Sequence, residues 1–483
     1  MDMSTHSEHG RAAAAPEQRQ NAAHFPDVEI SEALIRRFDN SGPRYTSYPT
    51  ADRFNADFDE ATYQRFLAER AGATHNPPLS LYAHLPFCES LCYFCACNKI
   101  ITRDHGRSIE YLRYLISEMD LVVPHLGEDR RVTQLHFGGG TPTFFSMPEL
   151  SALMRALRDR FDFQPDAELG VEIDPRTVKE TTLSVLADLG FNRTSFGVQD
   201  FDPAVQQAVN RIQPLPMVER ALAASREAGF ESINIDLIYG LPRQTLASFE
   251  HTLDEVIRLA PDRIAVYNYA HLPSRFKAQR LIVASELPSA EERLQIFMRS
   301  MERLLDAGYI YIGLDHFAKP EDELSRALRD KSLHRNFQGY TTKAECDLLG
   351  FGVSAIGKVG NSYSQSTRSV QTYYRHLDAG RLPVERGLAL TPDDLLRRDV
   401  IMTIMCSTPL RFDEIGEAHG IDFKRYFARE LAGLESFEQA GLIETDDAEM
   451  NITAKGRLFV RAISMVFDAY LGQPTASSYS KLI

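Results

Sequence analysis

Residues 80–99 read SLYAHLPFCESLCYFCACNK. The first half, SLYAHLPF, is a short apolar run with the character of a buried strand. The second half packs Cys88, Cys92, Cys95 and Cys97 into ten positions, while the rest of the 483-residue chain holds only Cys346 and Cys406. Thiols this close together cannot staple distant segments, and six cysteines in a chain of this length do not make a disulfide scaffold. Ligation of a metal or cluster is the leading reading. The spacing C-x3-C-x2-C puts three soft ligands on one short loop, which suits an iron–sulfur cluster, although such clusters usually take four cysteines. Three ligands leave one iron open, and an open position separates a reactive metal centre from a closed structural one. Cys97 keeps the alternative of a four-cysteine zinc or cluster site, but the single residue between Cys95 and Cys97 is tight for two corners of one site.

Outward from this stretch the chain repeats a strand-then-helix rhythm. The runs SLYAHLPF, VTQLHFGGG, ELGVEIDP, TSFGVQDF, SINIDLIYGLP and RIAVYNYAHL alternate with amphipathic stretches such as Ile109 to Leu126, Met147 to Phe161 and Thr245 to Leu259. Six β/α units predict an α/β fold, a partial (β/α)6 barrel whose chemistry sits on loops at the C-terminal ends of the strands. The cysteines follow the first strand and GGGTPT the second. Glu172 ends the third, Gln199 the fourth, Asp236 the fifth and Ala270 the sixth. Around this catalytic domain, residues 80–389, we expect a mobile tail over 1–28, a segment over 29–79 packing over the barrel mouth, and a smaller C-terminal domain over 390–483. That last part is mainly helical and winged-helix-like, with a hairpin turned around DDAEMN.

Composition limits the function classes. Hydrophobic residues make up 43% and charged residues 25% of the chain, enough for a large core, and no apolar run approaches the roughly 20 residues that span a bilayer. With no apolar signal core at the N-terminus, the expectation is a cytoplasmic protein. The formal net charge of −14 argues against a nucleic-acid or anionic-membrane binder, so a polyanionic substrate needs a local basic pocket. S-adenosylmethionine can fill an open iron position with its amino and carboxylate groups. Consecutive glycines at 138–140 let main-chain N–H groups approach a charged ligand, although the same run also makes a plain turn.

The segments YAHLPFCESLCYFCACNK, HFGGGTPT, GVEIDP, FGVQDFD, NRIQ, NIDLIYGLP and FQGYTT, in this order, resemble the radical S-adenosylmethionine superfamily and, within it, the oxygen-independent coproporphyrinogen III oxidases. The resemblance runs from about Pro43 into the C-terminal domain. It implies that Cys88, Cys92 and Cys95 ligate a [4Fe–4S] cluster and that Cys97 does not. Tyr82 and His84 then lie beneath the cluster and Phe94 near the adenosyl groups. Gly139, Gly140 and Thr141 match the loop that receives the methionine moiety, and Glu172, Gln199, Arg211, Asp236, Ala270, Phe337, Gln338 and Ile356 match further contacts to two S-adenosylmethionine molecules. Without the resemblance, Phe337 and Ile356 read as ordinary core residues and each charged residue as a structural ion pair. The implied reaction turns two propionates of coproporphyrinogen III into vinyl groups, giving protoporphyrinogen IX in heme biosynthesis. It needs a low-potential electron donor and an electron acceptor, no general acid or base, no nucleic acid and no membrane, and we expect a monomer. A heme chaperone, a radical enzyme with another substrate and a zinc-stabilised binding module are the competing readings.

The segment SGPRYTSYPTADRF, residues 41–54, carries a cation and two aromatic rings within five residues between two stiffening prolines. It is either a plain strap across the barrel or a substrate clamp. In the second case Arg44 meets a propionate while Tyr45 or Tyr48 covers a pyrrole face.

Overall fold

The computed structural model describes residues 31–38, 41–343 and 346–471; the tail expected over 1–28 lies outside the described residues. Six parallel strands carry the six β/α units: β1 (Leu79–Leu85), β2 (Arg131–Gly139), β3 (Asp162–Ile173), β4 (Arg193–Gln199), β5 (Ser232–Tyr239) and β6 (Arg263–Asn268). Helices Gly106–Val122, Met147–Arg158, Glu180–Asp188, Leu215–Glu227, Leu246–Leu259 and Ala290–Asp306 follow them in turn. Thr245 caps the fifth helix, its hydroxyl accepting from the Ser248 amide, so this helix begins where the sequence places it.

The sheet is larger than six strands. β7 (Ile310–Gly313) and β8 (His316–Ala318) extend it beyond β6, while β9 (Asp347–Phe351), β10 (Ile356–Val359), β11 (Ser362–Ser366) and β12 (Val384–Ala389) extend it beyond β1, in the order β12-β11-β10-β9-β1-β2-β3-β4-β5-β6-β8-β7. β9 runs parallel to β1 with Leu79 opposite Asp347; the other added strands are antiparallel.

Parallel strands covered on both faces usually read as continuous apolar runs. Here they alternate. Thr194, Phe196 and Val198 of β4 and Ile233, Ile235 and Leu237 of β5 are buried, while Ser195, Asn234 and Asp236 are half-buried on the opposite face. One face packs on the helices and the other lines a polar interior. At the N-terminal ends of the strands this interior is floored by ion pairs, Arg193 to Glu168 at 3.1 Å and Arg263 to Asp322 and Glu323 at 2.9 and 2.8 Å.

Residues 41–55 form a buried strap between barrel and C-terminal region. Arg461 donates to the carbonyls of Gly42 and Pro43 at 2.6 and 3.1 Å, the Tyr45 hydroxyl to Asp468 at 2.9 Å, and the Ala469 amide to the Tyr48 hydroxyl at 3.0 Å. The rest of the expected mouth-covering segment goes elsewhere. Helix Glu60–Gly72 packs Tyr63, Phe66 and Leu67 beside β10–β12, and its Arg70 is tied to Asp347 at 2.9 Å, at the strands' N-terminal end. Its apolar face has the added strands to cover, which the six-strand expectation does not contain. Beyond residue 390, helices Pro392–Met405 and Phe412–His419 and short turns of helix precede strands Ile443–Thr445 and Glu449–Ile452, which pair across a turn where Asp446 accepts from the amides of Ala448 and Glu449.

Candidate active site at the C-terminal ends of the strands

The cysteine segment leaves the end of β1 and is closed by a two-residue parallel bridge, Phe87–Cys88 beside Ile100–Ile101. Within it the Cys95 amide donates to the Cys92 carbonyl at 3.3 Å and Lys99 Nζ to the Cys95 carbonyl at 2.9 Å. From outside, the Tyr93 amide donates to the Val209 carbonyl and Asn210 Nδ2 to the Leu91 carbonyl, at 3.0 and 2.8 Å. His84 fixes the far end: its Nε2 donates to the Asn98 carbonyl at 2.8 Å, which leaves Nδ1 to accept from the Tyr82 hydroxyl at 3.1 Å. Burial lowers the pKa of His84, consistent with this neutral tautomer.

Cys88, Cys92 and Cys95 line one cavity of about 180 Å³ together with Phe94, Gly140, Thr141, Arg176 and Arg211. The Cys92 sulfur accepts from Arg176 Nη2 and Arg211 Nη1, both at 3.4 Å, and the Cys88 sulfur from the Thr141 hydroxyl at 3.3 Å. Both guanidinium groups thus bring positive charge against the Cys92 sulfur. A hydrogen bond from Cys97, with Lys99 nearby, holds the Cys95 thiol below its ordinary range, and the same bond raises Cys97, which is exposed and outside the cavity lining. Among the described residues no three His, Cys, Asp or Glu side chains close around a single ion. Three soft ligands spread around an open space fit a group in which each iron takes its own thiolate.

The glycine loop is shaped by β1. A Cβ on Gly140 would lie 2.6 Å from the Pro86 carbonyl, so only glycine lets the loop approach this closely. Its amides are engaged within the chain: Gly139 N–H donates to Glu172, Gly140 N–H to the Leu85 carbonyl and Thr141 N–H to the Phe87 carbonyl, at 3.2, 2.9 and 2.9 Å. These three amides therefore form no cradle for a ligand.

Glu172 also receives His136 Nε2 at 3.3 Å; burial alone would push its carboxyl up, but the hydrogen bonds from His136 and Gly139 keep it below its ordinary range. Asp236 accepts from Ser195 and Asn234, each at 2.8 Å, yet burial pushes it up to about 6. Both line the barrel interior with Gln338. Gln199 turns at the end of β4 with φ of 70°. Arg211 is held within the chain: Nε donates to Gln213 at 3.2 Å, Nη1 to Asp174 at 3.2 Å and Nη2 to the Gly197 carbonyl at 2.6 Å. Ala270 borders a cavity of about 550 Å³ past β6, and its carbonyl accepts from Gln279, which also bonds the Phe94 carbonyl. Phe337 and Gln338 sit at the turn of the hairpin His334–Asn336/Gly339–Thr341, Phe337 edge-on to Tyr363 at 5.4 Å. Ile356 opens β10. Arg44 pairs with Asp315 and lies over the Tyr267 ring at 5.6 Å, close to this interior, whereas Tyr45 and Tyr48 turn away into the C-terminal segment. Sequence reasoning passed over Asp174 and Arg176. The signal was present in the Asp-Pro-Arg of GVEIDPR, where Asp174 accepts from the Arg176 amide at 3.0 Å and grips its guanidinium.

Residues 82–256 match the model of the Radical SAM superfamily and residues 390–459 that of the HemN C-terminal domain. The oxygen-independent coproporphyrinogen III oxidase of Pseudomonas aeruginosa is 50% identical over 452 residues, 93% of this chain and 98% of that protein. This chain belongs to the oxygen-independent coproporphyrinogen III oxidases. The Escherichia coli oxidase is 47% identical over 446 residues, 92% of this chain and 96% of the relative. The solved structure of the E. coli enzyme, described as a radical SAM enzyme, superimposes with a TM-score of 0.87 at 46% identity, covering 92% of this chain and all of that one. The barrel read from the sequence is thus the radical SAM fold of an oxidoreductase. Among the described residues no helix is long and apolar enough to cross a membrane.

Proposed function

We propose that Cys88, Cys92 and Cys95 hold a [4Fe–4S] cluster with one iron open, that the cavities above and beside it take two molecules of S-adenosylmethionine, and that coproporphyrinogen III is decarboxylated there to protoporphyrinogen IX. The observation that carries this reading is the meeting of these three thiols, and not Cys97, around one cavity at the C-terminal end of β1. When bound, the cluster supplies the electron that splits S-adenosylmethionine into methionine and a 5′-deoxyadenosyl radical. That chemistry would move a hydrogen atom from the β-carbon of a propionate to the 5′-deoxyadenosyl group, giving 5′-deoxyadenosine; loss of carbon dioxide and transfer of one electron to the acceptor would leave a vinyl group, and a second propionate would react likewise with a second S-adenosylmethionine.

The chain's own residues bind, orient and exclude water. Arg176 and Arg211 set positive charge against the Cys92 sulfur, and Arg211 acts through Asp174 and the Gly197 carbonyl as a positioning residue. Glu172, kept ionised by His136 and the Gly139 amide, suits an ammonium, while Asp236 suits a ribose hydroxyl. Tyr82, His84, Phe94, Gly139, Gly140, Thr141, Gln199, Ala270, Phe337, Gln338 and Ile356 complete the cofactor contacts, and Arg44 meets a propionate. A low-potential donor and an acceptor serve this monomeric, cytoplasmic enzyme.

Anaerobic reconstitution with iron, sulfide, reductant and S-adenosylmethionine, followed by mass analysis of coproporphyrinogen, tests the reading. The expected result is a brown protein that forms 5′-deoxyadenosine and removes two carboxyl groups. Stoichiometric heme binding without turnover, or zinc without sulfide, would overturn it.

A further inference from the structure

The hairpin 334–341 divides two cavities. On one side lies the barrel interior with Glu172, Asp236, Tyr267 and Gln338; on the other, a cavity of about 300 Å³ bordered by the N-terminal ends of β1 and β9, with Asn336 and Thr341 lining both. Lys331, Arg335, Lys343, Lys358 and Arg398 line this second cavity with Asp399, Lys343 pairing with Asp166 and Arg398 with Asp399. In a chain of net charge −14 such a concentration of cations marks an anion site.

Arg335 is the decisive residue. Its Nε and Nη1 are buried without a hydrogen-bond partner among the described residues, and its guanidinium carbon lies 4.7 Å from the centre of the Tyr340 ring. Stacking on an aromatic ring occupies the face of a guanidinium and leaves its in-plane N–H groups for a carboxylate. Two buried N–H groups left without an acceptor on a half-buried guanidinium are costly, so this arrangement calls for an anion. Gln338 Nε2, another buried donor without a partner on this hairpin, faces the barrel interior instead. The surrounding field is positive: His316, beside Tyr340, is pushed down to about 3 by burial and by Arg335, Arg44 and Arg263.

We infer that Arg335, with the basic cavity behind the hairpin 334–341, holds the two propionates of coproporphyrinogen that do not react. This rests on the substrate reading above and adds the residue that orients the ring. Substrate and product both keep these two carboxylates, so contacts to them stabilise ground and transition states alike and act on KM rather than kcat.

The test titrates cluster-loaded protein with coproporphyrin III, the oxidised tetracarboxylate, and with its tetramethyl ester, by absorbance of the macrocycle. Wild-type protein is expected to bind the acid at least tenfold more tightly than the ester. Arg335→Met should weaken the acid at least tenfold without changing the ester, and should raise KM for coproporphyrinogen more than it lowers kcat; Arg335→Lys should recover part of the loss. Cluster absorbance and far-ultraviolet dichroism identify folded variants, and Arg335→Gln replaces Arg335→Met if the latter does not fold. Unchanged affinity and KM in a folded Arg335→Met or Arg335→Gln protein, or a loss confined to kcat, would overturn the inference while leaving decarboxylation in place. Wild-type protein that loads the cluster but neither binds nor decarboxylates the tetracarboxylate would overturn the substrate reading as well.

Discussion

Gly140→Ala probes how the cysteine segment and the glycine loop hold each other. A Cβ at this position would lie 2.6 Å from the carbonyl carbon and oxygen of Pro86 and 2.9 Å from the carbonyl oxygen of Phe87. All three are backbone atoms, so no side chain can swing aside. Gly140 does not have the left-handed φ of Gly139, so its substitution penalty is steric alone. To reach van der Waals distance the loop must retreat from residues 86–88, and that retreat breaks the amide bonds from Gly140 to Leu85 and from Thr141 to Phe87, each 2.9 Å long. Overpacking at about 1–3 kcal/mol and two hydrogen bonds at about 0.5–1.5 kcal/mol each give an expected destabilisation of about 2–6 kcal/mol. The same movement takes the Thr141 hydroxyl from the Cys88 sulfur, so iron retention falls with stability. Denaturant unfolding and iron content would be measured on the same preparations, with Gly72→Ala as control: it ends a helix where nothing lies within 4 Å, and should be neutral or slightly stabilising. A Gly140→Ala protein within about 0.5 kcal/mol of wild type and carrying full iron would refute the argument, because surface substitutions alone fall in that range.

Serine at Cys88, Cys92 or Cys95 should abolish both the brown chromophore and cleavage of S-adenosylmethionine, whereas Cys97→Ser should keep the chromophore; equal iron loss in Cys97→Ser and Cys92→Ser would sink the three-thiolate assignment. Burial raises the Glu118 carboxyl from 4.5 to about 7, although it accepts from the Gly352 amide and the Tyr373 hydroxyl. The folded state therefore binds the extra proton, and this contribution, present below about pH 4.5, is lost as pH rises to about 7, a change of about 3 kcal/mol. Stability measured across that window should fall less steeply in Glu118→Gln; an unchanged slope would show that Glu118 ionises in the fold as freely as in the unfolded chain. Arg44→Ala should raise KM for coproporphyrinogen while iron content and S-adenosylmethionine binding stay as in wild type, and wild-type kinetics would leave residues 41–55 as a strap alone.

The six β/α units were legible because each strand pairs with a neighbour close in sequence and each helix carries its own apolar period. β9 was not: five residues with no helix of their own join β1 across more than 260 positions, and nothing local in DLLGF announces a partner so distant. At the site, side-chain type and spacing sufficed to bring Cys88, Cys92 and Cys95 to one cavity after β1, whereas Asp236, expected at the end of its strand, lies in the middle of β5 and faces the barrel interior with Glu172. Where backbone groups point is not written in residue type, so the glycine amides proved to serve β1 and Glu172. Tyr45 and Tyr48 misled for a related reason: an aromatic ring in a short segment reads equally as a substrate platform or as packing, and the C-terminal residues that claim both hydroxyls lie more than 400 positions away.

That separation has a consequence for biosynthesis. The strap bearing Arg44 is held by residues 461–470, and Tyr45 and Asp468 are 423 positions apart. At about 5–20 residues per second, a ribosome needs about 20–85 s to deliver the second partner after the first. Throughout that interval the barrel can close its local β/α contacts, but Tyr45 and Tyr48 have no place to bury and Arg44 is not yet aimed at Tyr267. Ordering of the strap therefore waits for residues 461–470, and a chain cut short before them would leave Tyr45 and Tyr48 unburied while the β/α contacts of the barrel are already in place.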